Sequence, residues 1–181
     1  MTDMSEDPNN QSPQSPHPLG RGFYTIAWII GIALLTTLFS GHEERRINPN
    51  QNPQSQMNNG VAEVVLKQNR QGHYVANGII NGQSVTFLLD TGATDVAIPG
   101  RIAERLALKE GRSIPMNTAN GTIRVFESWV DQLEIGELKI RDVDANINPH
   151  MDEDFILLGM SALKDLELIQ KNNQLTIRQY L

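Results

Sequence analysis

The chain has no cysteine among its 181 residues. That excludes disulfides, thiolate zinc sites and a cysteine nucleophile, and leaves the compartment open. Histidine is sparse. His17, His42, His73 and His150 are scattered, and no pair has metal-ligand spacing such as i, i+4 on a helix, so no metal site is expected. Basic residues are the minority, 15 against 21 acidic ones, for a formal net charge of -6. A broad basic face for nucleic acid is therefore not expected. The serines near apolar segments, Ser84, Ser113, Ser128 and Ser161, occupy no strand-turn-helix nucleophile setting, which gives no support to a serine hydrolase. No segment calls for a cofactor.

Charge is also missing from one long stretch. Phe23 to Phe39 carries none, and with its flanks the run from 22 to 41 is about as long as a bilayer core requires. Tyr24 and Trp28 sit near one end, where amphipathic rings favour the membrane interface. The tail before it, residues 1–20, is polar and rich in Pro, Asn, Gln and Ser, and is expected to be disordered. It contains Asp3, Glu6 and Asp7 in place of a basic n-region, and no Ala-x-Ala site follows, so an uncleaved transmembrane helix over 21–41 is expected rather than a signal peptide. Arg21 precedes the span and Arg45 and Arg46 follow it. Counted literally, that leaves the C-terminal part in the cytoplasm.

Residues 42–59 hold two prolines and many Asn and Gln, and are expected to be a flexible linker. The compact domain is expected over 60–181. Strand candidates are Val61 to Leu66, His73 to Ile80 and Gln83 to Leu89, the last two joined by Asn81-Gly82, a strong type I′ hairpin signal. Pro99 can open a short helix through Leu106. Ser113 to Val130 forms a second hairpin around Thr118 to Thr122, Leu133 to Ile135 and Leu138 to Ile147 are further strands, and Leu168 to Ile169 pairs with Leu175 to Tyr180. Many short strands, two short helices and closely spaced turns predict an all-β fold, a small, partly closed β-barrel. Asp142-x-Asp144-x-Asn146 with Glu153 has the spacing of a calcium loop, but Ile147 stands where that loop needs glycine, and Val143, Ala145 and Ile147 alternate like a buried strand face.

The strand Gln83 to Leu89 ends abruptly in Asp90-Thr91-Gly92-Ala93, and apolar residues resume at Val96. A carboxylate in the middle of a core pattern is costly unless it is paired or hydrogen-bonded. Downstream, Phe155-Ile156-Leu157-Leu158-Gly159 precedes the helical pattern Ser161 to Leu166. Together these motifs resemble the retropepsin-like (clan AA) aspartic proteases, in particular their bacterial, membrane-tethered, single-lobe members. The resemblance covers roughly Gly60 to Leu181. It implies a retropepsin-like barrel with Asp90 as the catalytic carboxylate. It implies that Thr91, Gly92 and Ala93 support the active-site loop, and that Leu157, Leu158 and Gly159 pack beneath it. The hairpin tip Ala119, Asn120, Gly121 and Thr122 stands where a substrate-binding flap would be.

Only one Asp-Thr-Gly occurs. Aspartic hydrolysis uses two carboxylates sharing a proton, so the resemblance implies a homodimer with Asp90 of both copies at the two-fold axis. Val61 to Leu66 and Leu175 to Tyr180 are the candidate inter-subunit strands. The expected substrate is a protein or peptide near the membrane. The resemblance places the protein in a bacterial inner membrane, single-pass, with a periplasmic protease domain, against the literal charge count. Three departures from viral members stand out: Thr94 rather than an acid after Ala93, no glycine run in the flap, and Met160 after Gly159. The other reading is a tethered peptide-binding module of the same fold, with Asp90 as a turn carboxylate.

Overall fold

The computed structural model describes residues 19–118 and 121–181, and the side chains of all of these except 19–21 and 39–43. Residues 1–18 of the expected polar tail lie outside the described residues. The chain divides between Gly41 and His42 into two units. Helix α1 runs Leu19–Ile47, through the expected 21–41 span and beyond it. Its described side chains from 22 to 38 are exposed, Phe23, Trp28 and Leu38 each by more than 70%. Among the described residues no helix is long and apolar enough to cross a membrane.

The second unit is mostly β. Its strands are β1 (Gln54–Asn58), β2 (Val61–Lys67), β3 (Tyr74–Ile80), β4 (Gln83–Leu89), β5 (Val96–Pro99), β6 (Ser113–Thr118), β7 (Gly121–Ile135), β8 (Leu138–Asn148), β9 (Ile156–Leu158), β10 (Glu167–Lys171) and β11 (Gln174–Tyr180). Two short helices interrupt them, α2 (Gly100–Arg105) after Pro99 and α3 (Met160–Leu163) after Gly159. Seven strands form one sheet in the order β3-β4-β9-β5-β8-β7-β6. Pairing of Ile79 and Ile80 on β3 with Glu134 and Leu133 on β7 bends that sheet into a ring, leaving β6 outside it. Inside the ring sit Phe87, Ile98, Leu133, Ile147, Ile156 and Leu158, all essentially inaccessible. Burying each such side chain contributes about 2 kcal/mol.

Local chemistry explains the turns. Asn81 and Gly82 both take positive φ, 51° and 74°, as a type I′ hairpin demands. Asn172 and Asn173 do the same between β10 and β11. One expected boundary moves: Leu133 to Ile135 is the end of the 15-residue β7 rather than a separate strand.

Two larger expectations are corrected. Residues 42–59 are not a flexible linker. Asn48 and Asn50 are buried, and β1 pairs antiparallel with β2 from Gln54↔Val65 to Asn58↔Val61. The Asn50 side chain replaces a strand neighbour: Nδ2 donates to the carbonyls of Lys67 (2.9 Å) and Val75 (2.7 Å), and Oδ1 accepts the Lys67 N–H (2.7 Å). Asn48 Nδ2 donates to Asn77 Oδ1 at 2.7 Å, and the Asn50 carbonyl accepts the Asn77 N–H at 3.1 Å. Asparagine-rich composition signals disorder when the amides face water; here they close the ladder ends of β2 and β3. The second correction concerns Val61 to Leu66 and Leu175 to Tyr180 as inter-subunit strands. They are the central pair of a four-stranded sheet, β1-β2-β11-β10, formed within one chain. Both of their edges are occupied, and among the described residues β1 and β10 form the open edges of this sheet.

Candidate active site

The site begins at the end of β4. Two flanking strands, β4 and β5, would be hydrogen-bonded neighbours if nothing intervened. Instead β9 lies between them, parallel to β4 through Phe87↔Ile156, Leu88↔Leu157 and Leu89↔Leu158, and meeting β5 at Ala97↔Leu157. The loop from Asp90 to Asp95 must therefore cross over the end of β9.

Backbone groups hold that crossing. The Asp90 N–H donates to the Leu158 carbonyl at 3.1 Å, and the Ala93 N–H donates to the Asp90 carbonyl at 3.2 Å. From the far side, the Met160 N–H donates to the Ala93 carbonyl at 2.9 Å and the Ser161 N–H to the Thr94 carbonyl at 2.8 Å. Gly159 makes the approach possible. A Cβ there would stand 2.2 Å from the Asp95 carbonyl oxygen and 2.9 Å from that of Ala93, so no other residue fits without moving the loop. The aspartate itself is oriented locally, its Oδ1 accepting the Gly92 N–H at 2.9 Å. Asp90 is half-buried, while Thr91 and Gly92 are exposed.

Register fixes which way the carboxylate faces. Val75, Leu88, Leu157, Ala97 and Asn146 lie in one row across the sheet, and directly paired residues share a face. Asp90 follows Leu88 by two residues, and so lies on that same face. Leu88, Leu157 and Ala97 are half-exposed there, whereas Phe87, Ile156, Leu158 and Ile98 on the opposite face are inaccessible. An acid thus stands at the rim of an apolar, partly open surface carried on rigid strands.

The structure gathers Asp90, Thr91, Gly92 and Ala93 with Leu157, Leu158 and Gly159. Of the expected flap, Ala119 and Asn120 lie outside the described residues. Gly121 and Thr122 begin β7, and their described bonds stay within the hairpin: Thr118 Oγ1 donates to the Gly121 carbonyl and Thr122 Oγ1 to Asn117 Oδ1, both at 2.8 Å. Among the described residues no group of three His, Asp or Glu side chains is placed to hold a metal ion.

Sequence reasoning missed Ser161, which ties three elements together. Its Oγ donates to the Asp144 carbonyl at 2.8 Å and accepts the Val96 N–H at 3.1 Å, joining α3 to β8 and to the start of β5. A serine opening a helix two residues after a conspicuous glycine was the only available hint. Asn50 was missed as well, for want of any apolar pattern around it.

Comparison with known proteins fits this geometry. Residues 76–165, from within β3 to just past α3, match the family described as "gag-polyprotein putative aspartyl protease". An uncharacterised Sinorhizobium protein, encoded in the 5′ region of cobV, is 27% identical over 179 residues, covering 91% of this chain and 77% of its own length. The uncharacterised protein RP867 of Rickettsia prowazekii is 30% identical over 129 residues, 66% of this chain and 52% of that one. Among solved structures, a retropepsin-like aspartic protease from Rickettsia conorii superposes with a TM-score of 0.55 at 26% identity, covering 70% of this chain and 95% of that one. With the crossed β4-β9-β5 junction and the Asp-Thr-Gly loop above it, these similarities make the chain a member of the retropepsin-like, clan AA aspartic protease family.

Proposed function

We propose that this protein is a membrane-anchored aspartic endopeptidase that works as a homodimer. The observation that carries the reading is the placement of Asp90: half-buried, oriented by the Gly92 N–H, on a loop clamped from below by β9 and Gly159. The Gly92 bond alone is one that a turn carboxylate also makes; the clamp by β9 and Gly159 adds the precise positioning that general acid–base chemistry needs.

Each chain contributes one such acid. In the dimer, two Asp90 carboxylates about 3 Å apart would share one proton, because both cannot readily ionise. The ionised one takes a proton from water as the water attacks the scissile carbonyl. The protonated one polarises that carbonyl and then delivers a proton to the departing amine. Thr91, exposed beside the aspartate, is free to hydrogen-bond across the axis. The tips of the two β6–β7 hairpins would cover an extended peptide, held by strand-like backbone bonds.

The anchor reading rests on the uncharged run Phe23 to Phe39 and on the exposure of its described apolar side chains in α1. Such surface needs a non-aqueous surrounding. The setting proposed is a bacterial inner membrane, with the domain in the periplasm and membrane-proximal proteins as substrates.

The test is peptide cleavage by the full chain in detergent or nanodiscs, wild type against Asp90→Asn, over a range of pH and protein concentration. Activity should rise faster than linearly with concentration, and Asp90→Asn should lower kcat by at least about a thousandfold while keeping the fold. Cleavage by the variant at the wild-type rate would sink the mechanism.

A further inference from the structure

A groove of about 710 Å³ opens on the catalytic face. Val75 on β3, Leu88 on β4, Ile47 at the end of α1 and Phe155 just before β9 give it apolar surface among uncharged Asn, Gln and Thr side chains. Leu88 lies two residues before Asp90 and Thr86, also in the groove, lies four. At strand rise the groove therefore starts about 7 Å from the catalytic carboxylate and extends to about 13 Å. An extended peptide crossing Asp90 would reach it with residues two to four positions from the scissile bond.

The rim is acidic. Glu44 and Asp154 both line the groove; among the described residues no lysine or arginine does, and His73 is the one basic side chain. Asp154 is partly engaged by Arg101, at 3.3 Å across an exposed pair, which leaves Glu44 as the main acceptor. The wall that carries Glu44 and Ile47 is fixed rather than loose, because Asn48 and Asn50 directly after it are buried and hydrogen-bonded into β2 and β3. Apolar surface with carboxylates beside it suits a side chain that has an apolar stem and a cationic head.

We propose that this groove is a substrate subsite for a lysine or arginine side chain, with Glu44 as its specificity determinant. The inference rests on the endopeptidase reading and names the substrate class for it. The residues just before the folded barrel thus help to choose the peptide.

The test uses the full chain in detergent and peptide pairs that differ only in lysine or norleucine, placed two, three or four residues from the scissile bond. Wild type should prefer lysine at one of these positions, and Glu44→Lys should lower the lysine-to-norleucine ratio of kcat/KM at least tenfold, with Glu44→Gln in between. Equal or inverted preference in wild type, or an unchanged ratio in Glu44→Lys, would overturn the subsite. If no peptide is cleaved, the same labelled pairs are titrated onto the Asp90→Asn chain by fluorescence anisotropy. Tighter binding of lysine peptides, lost with Glu44→Lys, would keep the subsite while the protease reading falls. Equal binding of both peptides, or none, would reject it.

Discussion

Two junctions hold this domain together, and they are built from opposite materials. Under Asp90, apolar strands and backbone amides do the work, and the decisive side chain is an absent one, at Gly159. At the other junction, between α1 and β2, two asparagine side chains stand in for a missing strand. The first positions an acid; the second closes one wall of the groove beside it. A buried amide with every hydrogen bond made can thus organise backbone as firmly as a buried leucine can, but the reason is the cost of leaving its partners bare.

The comparison can be broken most forcefully by deletion. A chain starting at Gly60 lacks β1 and both asparagines, and should lose about 5 kcal/mol of stability against one starting at His42, since several backbone groups on β2 and β3 would lose their partners. Equal denaturant midpoints for the two would show the α1–β2 junction to be passive. Gly159→Ala comes next. Its new methyl would meet backbone rather than a yielding side chain, so a loss of about 3 kcal/mol is expected, together with reduced kcat from a displaced Asp90 loop. A crystal structure of the variant with the loop unmoved would contradict this. Asn50→Ala should cost about 2 kcal/mol, and limited proteolysis should then cut near residues 48–53 faster than in wild type.

The smallest effect concerns the exposed face of the terminal sheet. Arg178 donates to Glu63 at 2.6 Å and also reaches Glu167. The Arg178 hydrogen bond, helped by Gln56, holds the Glu63 carboxyl below its ordinary value of about 4.5. A depressed carboxylate stabilises the fold above that ordinary value, and the contribution fades as pH falls through the lower, folded one. Glu63→Gln should therefore lower Tm by about 2 °C at neutral pH, and the difference should shrink as pH falls below 4.5 and vanish once it has passed the lower, folded value. Melting curves across pH, for both proteins, measure it directly; a constant difference would assign the effect to packing.

Legibility followed the same division. The barrel strands were readable because one face of each is buried: Val85, Phe87 and Leu89 alternate, and Asn81-Gly82 announces its turn. The motif at Asp90 and the element at Leu157 to Gly159 were readable as motifs, since their residue types are rare in that order. β1 was not. All five of its residues are exposed, so pairing leaves no periodic trace. Nor was Asn50, whose role depends on carbonyls that lie 17 and 25 residues away. The insertion of β9 between β4 and β5 was likewise invisible locally, because three residues, Ile156, Leu157 and Leu158, carry it.

The four-stranded sheet has a consequence for assembly. Its central strands, β2 and β11, find both neighbours within one chain. No described core strand waits for a second molecule, so a single chain can fold alone, and below the concentration at which copies pair its midpoint should not move on dilution. For the membrane-anchored dimer proposed above, pairing is then a later, separate equilibrium, and surface density would switch it on without unfolding anything.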